Sequence, residues 1–289
     1  MAKIVAIHGV GQQFKGDAVI HREWWPAFLS GLHLSGCVPV NEGDFDCPFY
    51  GHLFRRLGTL SLSEQWQAKD LEEDEVALLQ VIWSATAEAE PDVVPSLAEF
   101  AAETGLARTP QIVQRALSAL ARSRFWANVS QSLLIGDLKQ VTRYFSDVGL
   151  RNKILDIVCD KITSETRLVV GHSLGSVVAY EALSRKPEEV VSFISIGSPL
   201  GIRNLIFDKL APTPSAGGIG VWPGRIKSWT NIADKGDVVA LQKRLAPLFG
   251  DRVKDILVSN GSDPHHGERY LTTREVGEAA CEALWTKGF

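Results

Sequence analysis

The chain has 289 residues, 45% hydrophobic and 22% charged, with a formal net charge of −4 at pH 7. Those proportions exclude a disordered or fibrous chain. The slight acidity, with no block of Lys or Arg, excludes a general grip on nucleic-acid phosphates. Four cysteines, Cys37, Cys47, Cys159 and Cys281, stand far apart without a CxxC pair. They read as buried or half-buried free thiols, not a zinc site, and no metal is expected. No stretch approaches the roughly 20 apolar residues of a membrane span, and the opening MAKIVAIHGVGQQ is too short in its apolar part for a secretory signal. The expectation is a cytoplasmic protein without stable membrane insertion.

In chain order, residues 3–7 (KIVAI) form a β-rich run stopped by His8-Gly9, which reads as a buried strand. Residues 24–34 have helical apolar spacing, and residues 46–50 read as a second strand closed by Gly51. From 61 to about 150 the texture changes to Leu, Ala, Glu and Arg. There Ile112, Val113, Ala116, Leu117 and Leu120 line one helical face, and Leu134, Leu138, Val141, Phe145 and Val148 another. The acidic run 72–75 reads as a solvated face. After residue 150 strands and helices alternate: helix 154–162, strand 167–170, helix 174–184, strand 190–196. A Pro- and Gly-rich loop at 211–224 follows, then strands at 226–232 and 253–258, each with a helical pattern behind it. Such alternation argues an α/β fold with a mostly parallel sheet flanked by helices. The expectation is one domain over 1–289 with a helical insertion at about 61–147.

Gly171-His172-Ser173-Leu174-Gly175 is a G-x-S-x-G between a strand and a helix, the setting a nucleophile elbow requires. The competing reading is a glycine-rich turn whose serine merely caps the helix. An acyl-transfer oxyanion needs two preorganised N–H donors. Leu174, at a helix N-terminus, would supply one, and Val10 in His8-Gly9-Val10-Gly11 the other. Read instead as a dinucleotide fingerprint, that loop fails at its third glycine, where Phe14 stands. His8 reads as a structural loop histidine. A serine nucleophile also needs a base and an orienting carboxylate, on later loops in the order acid, then histidine. Ala233-Asp234-Lys235-Gly236-Asp237 offers two acids. Asp237, before an apolar helical run, is the expected partner and Asp234 a turn residue. The loop after the last strand carries the pair His265-His266.

With IHGVGQQ, VVGHSLGSVVAYEAL, ISIGSPLG, WTNIADKGDVV and PHHGERYL, the chain resembles the α/β-hydrolase superfamily, particularly bacterial lipase- and serine-esterase-like members. The resemblance covers most of 3–50 and 137–284, and the chain lacks the first two strands of larger relatives. In related sequences the final histidine precedes a Tyr-Leu pair by a few residues, which implies His265, ahead of Tyr270, as the base. The resemblance implies hydrolysis of a small-molecule acyl ester by Ser173, His265 and Asp237, with no cofactor. It leaves open a thioester or peptide bond, or a non-catalytic docking module. The insertion is expected to form a cap or lid. Trp83, Leu97, Phe100, Leu133 and Leu134 are among its apolar residues, and Phe125 and Trp126 are the expected walls of an acyl pocket.

Overall fold

The computed structural model describes residues 3–37, 40–55, 66–96, 98–99, 110–126, 129–186, 188 and 190–285. By its contacts the chain falls into two compact units, one of residues 1–54 and 148–289, the other Arg55–Asp147.

The first unit is built on a six-stranded, wholly parallel sheet: β1 (Ile4–Ile7), β2 (Phe45–Asp46), β3 (Leu168–His172), β4 (Ser192–Ile196), β5 (Ser228–Asp234) and β6 (Val253–Val258). Their order is β2-β1-β3-β4-β5-β6. The strands β1 and β4 are buried along their whole length, as apolar runs covered on both faces should be. The edge strand β6 is buried only at its two ends. Successive strands add on one side of β1 (β2) and then on the other (β3 onward). The winding therefore reverses between β1 and β3, where open α/β sheets place their ligands at the strand C-termini.

The sheet is flanked by α1 (Asp17–Leu34), α5 (Val148–Cys159), α6 (Leu174–Arg185), α7 (Ala246–Phe249), α8 (Gly267–Leu271) and α9 (Arg274–Trp285). The core gathers Ile4, Phe28, Leu32, Val170, Ile194, Ile232, Leu271 and Val276, among others. The expected strand at 46–50 shrinks to Phe45–Asp46. Tyr50 is diverted, its amide donating to His8 Nε2 (3.4 Å) and its hydroxyl to the His8 carbonyl.

The cysteines need a correction. Cys37, just beyond α1, is disulfide-bonded to Cys281 on α9, with Cα atoms 5.9 Å apart. Only Cys47 and Cys159 are free thiols, buried and half-buried. Disulfides persist in oxidising surroundings, which weighs against the cytoplasmic expectation. Among the described residues no helix is long and apolar enough to cross a membrane.

The second unit holds α2 (Glu73–Ala89), α3 (Pro110–Leu120) and α4 (Gln131–Ser146). The acidic run is not simply a solvated face. Glu72, Glu73 and Asp74 are exposed, but Glu75 is buried. Its Oε2 accepts from the Glu72 amide (2.7 Å) and Lys139 Nζ (2.9 Å), and its Oε1 from Thr142 (3.0 Å). The run is thus a helix N-terminus, closed by a reciprocal capping box between Glu72 and Glu75. Trp83 is buried and donates to the Pro95 carbonyl (2.6 Å); Leu134 is buried, whereas its sequence neighbour Leu133 is exposed. Val148 leaves the expected face, standing exposed at the start of α5. Leu97 and Phe100 lie outside the described residues.

Candidate active site

Strand β3 ends at His172 and α6 begins at Leu174, so the chain reverses at Ser173, whose φ is 53° and ψ −130°. A non-glycine residue there costs about 1–3 kcal/mol and persists only when its surroundings over-determine it. Here the Ser173 amide donates to Ile196 O (3.1 Å), and its carbonyl accepts from the Ser176 amide (2.9 Å) and hydroxyl (2.6 Å). The flanking glycines answer a need for close approach. A Cβ on Gly171 would lie 2.6 Å from Ser176 Cα, and one on Gly175 2.2 Å from Ile7 O. The Ser173 side chain makes no capping bond. Its Oγ instead lies 3.1 Å from His265 Nε2, which removes the reading of a mere helix cap.

His265 Nδ1 stands 2.8 Å from Asp237 Oδ2. Because a carboxylate only accepts, Nδ1 carries the proton, and Nε2 is left to accept from the serine. His266 is engaged elsewhere, its Nδ1 2.9 Å from Glu268, and that bond raises its pKa. Asp237 is fully buried, and Oδ1 also accepts from the amides of Val239 (2.8 Å) and Ala240 (3.1 Å). Burial alone would push this carboxyl up. The charge and hydrogen bond of His265, the Val239 amide and the charge of Lys243 outweigh it and hold the pKa well below the usual carboxylate range. Asp234 is the expected turn residue, accepting from the Gly236 amide (2.6 Å), and it also takes the Asn260 amide, fastening the acid loop to the histidine loop.

The expected helix behind Asp237 does not form. Lys243 Nζ donates back to the Asp237 carbonyl, and Asn231 of β5 donates to the Lys243 carbonyl (3.0 Å), so the stretch is tied to its own start and to the sheet. Only α7 is helical there, its start held by Asp255, which accepts from the Leu245 (2.8 Å) and Ala246 (3.0 Å) amides.

In the loop after β1, buried His8 places Nδ1 2.8 Å from the Gly9 carbonyl, and its ring stacks on Tyr50 at 4.1 Å. Burial above all lowers its pKa to about 4, despite the bond to Gly9. The ring is therefore neutral, and donates to Gly9 O while accepting from Tyr50. In a trans peptide the C=O and N–H point oppositely, so fixing the Gly9 carbonyl on His8 turns the Val10 N–H away from it. The loop runs against Ser173: a Cβ on Gly9 would sit 3.3 Å from its Oγ. Leu174 is the first residue of α6, where backbone N–H groups lack helical partners.

Two neighbours escaped the sequence reading. His172 places Nε2 2.7 Å from the His265 carbonyl, with ring centroids 4.8 Å apart. Burial, then the His265 charge, lower its pKa to about 3, so it is a neutral donor to that carbonyl. Its only signal was its place inside G-x-S-x-G. Tyr270 donates to Asp237 Oδ2 (2.8 Å) and accepts from the Asp234 amide (2.7 Å). It had served only as a ruler for choosing between histidines. Phe125 and Trp126 lie in the second unit, both half-buried. Trp126 Nε1 donates to Thr86 Oγ1 (3.4 Å), and the Arg124 guanidinium sits 4.8 Å over the Phe125 ring. Among the described residues no group of three or more His, Cys, Asp or Glu could hold a metal ion. No protein-family profile and no curated protein sequence matches the chain.

Proposed function

We propose that the protein is a serine hydrolase of small carboxylic acyl esters, working through an acyl-enzyme on an α/β-hydrolase-like core. The observation that carries this reading is the hydrogen-bonded run from Ser173 Oγ through His265 to Asp237, at 3.1 and 2.8 Å. Ser173 Oγ attacks the carbonyl carbon as its proton passes to His265 Nε2. Asp237, kept ionised, stabilises the imidazolium through Nδ1–H. The Val10 and Leu174 amides receive the oxyanion. The intermediate collapses, the C–O bond to the alcohol breaks, and Nε2 returns the proton to the leaving oxygen. Water then attacks the acyl-serine with His265 as base and releases the acid. These steps use no metal or organic cofactor.

A triad defines acyl transfer but not the leaving group. The test has two stages. A fluorophosphonate should modify Ser173 stoichiometrically in the wild type and leave Ser173→Ala unlabelled. Turnover of p-nitrophenyl esters should then exceed that of acyl thioesters and peptides. No labelling, or labelling that survives Ser173→Ala, would discard the hydrolase reading. A preference for thioesters or peptides would discard only the ester.

A further inference from the structure

We propose that Tyr270 is a positioning residue of the Ser173–His265–Asp237 relay, its hydroxyl holding Oδ2 of Asp237 as an oriented anion beside the base. The proposal rests on the hydrolase reading for its kinetic consequences, not for its geometry.

The direction of the bond follows from donor counting. The Tyr270 oxygen accepts from the Asp234 N–H at 2.7 Å, and a carboxylate cannot donate, so the phenolic proton points to Asp237 Oδ2 at 2.8 Å. Tyr270 is completely buried, and burial, followed by the Asp237 charge, pushes its pKa up, so that proton stays on. Asp237 then receives four donors: Val239 and Ala240 amides on Oδ1, His265 and Tyr270 on Oδ2. Four donors match a carboxylate's four acceptor sites. Tyr270 and His265 thus share one oxygen, and the tyrosine limits how basic that oxygen is toward Nδ1–H. It also spans three segments, the end of β5, the acid loop and α8. The titratable groups around the relay are Asp234, Lys243, His172, His266 and Glu268, which Tyr270→Phe leaves in place.

The experiment compares wild type with Tyr270→Phe. Losing one hydrogen bond to a charged group should lower kcat about tenfold, with KM within about twofold. The acid limb of kcat/KM, which belongs to the coupled Asp237–His265 pair, should move to higher pH by up to roughly a unit. Wild-type kcat and an unmoved acid limb, even with a lowered Tm, would reduce Tyr270 to a packing residue and overturn the proposal. A readout independent of turnover is the downfield proton resonance of His265 Nδ1–H in Ser173→Ala. Adding Tyr270→Phe should move it further downfield, and no movement overturns the proposal whether or not the protein hydrolyses esters. Should Tyr270→Phe fail to fold, 3,5-difluorotyrosine at position 270, a stronger donor of nearly the same shape, should move both readouts the opposite way. An unmoved pair counts against the proposal.

Discussion

The strand-end loops of the first unit and the helices of the second both bury polar groups, with different outcomes. Glu75 in the helical unit is bonded to the Glu72 amide, Lys139 and Thr142, and the bonds close on residues of that unit. Asp237 is as completely satisfied, but one of its donors, His265, leads on to the Ser173 hydroxyl. Burial with full partnership is therefore common to both regions and says nothing of chemistry by itself. What separates them is a chain of bonds that runs from a buried carboxylate through an imidazole to a serine hydroxyl.

The sharpest way to break that contrast is at its reactive end. Ser173→Ala should remove ester hydrolysis by about 10⁶-fold in kcat, measured with p-nitrophenyl acetate. His265→Ala should cost about 10⁴-fold or more, whereas His266→Ala, which loses a bond to Glu268, should change kcat less than about tenfold. Reversed effects would move the base to His266. Asp237→Asn favours the wrong imidazole tautomer and should cost roughly four decades in kcat with the fold intact. Asp234→Asn should instead lower Tm, since it weakens the grip on the Gly236 and Asn260 amides. Equal kinetic damage at both positions would erase the distinction between them.

On the other side of the comparison, Glu75→Ala should destabilise the helical unit by about 1–3 kcal/mol by stripping partners from Lys139 and Thr142, with kcat unchanged on the folded protein. A large loss of kcat would show that this network is not merely internal. The last effect is a pH slope, read in stability and not in turnover. An unfolded histidine takes up its proton near pH 6.5, but folded His8 and His172 stay neutral until about 4 and about 3. Between pH 6.5 and 4 the unfolded chain binds more protons, so stability falls as pH falls. Each ring contributes up to about 1.4 kcal/mol per pH unit. Urea unfolding from pH 7 to 4.5 should show this slope, and His172→Gln should reduce it. A flat profile would mean that the rings charge without cost.

The elbow was legible because its chemistry is a backbone requirement: two glycines and a serine between a strand and a helix leave few alternatives, and Ser173 takes the strained conformation they permit. The bounds of β6 matched the expected 253–258 because turn residues, Gly250 before it and Ser259-Asn260-Gly261 after it, bracket a segment with Val253, Ile256, Leu257 and Val258 as its apolar positions. The residues behind Asp237 misled because apolar spacing was visible and the side-chain bonds that tie the stretch down, Lys243 to the Asp237 carbonyl and Asn231 to the Lys243 carbonyl, were not. Glu75 looked solvated since its partners lie on a different helix. His265 was separated from His266 only through resemblance, because adjacent identical side chains carry no local cue. The Cys37–Cys281 bond spans 244 positions and left no spacing to read.

That bond also closes residues 37–281 of the oxidised chain into a covalent ring. Ser173, Asp237 and His265 all lie on the ring, while β1 and Val10 precede it. A single proteolytic cut between Cys37 and Cys281 opens the ring without releasing a fragment, so Ser173, Asp237 and His265 remain parts of one molecule until a reductant acts. Closing a loop of this size also shrinks the unfolded ensemble, an effect of about 5 kcal/mol on the chain-entropy account. Nicked and intact protein would therefore differ by a single water under oxidising conditions, and the nicked chain would fall into two pieces only once the disulfide is reduced.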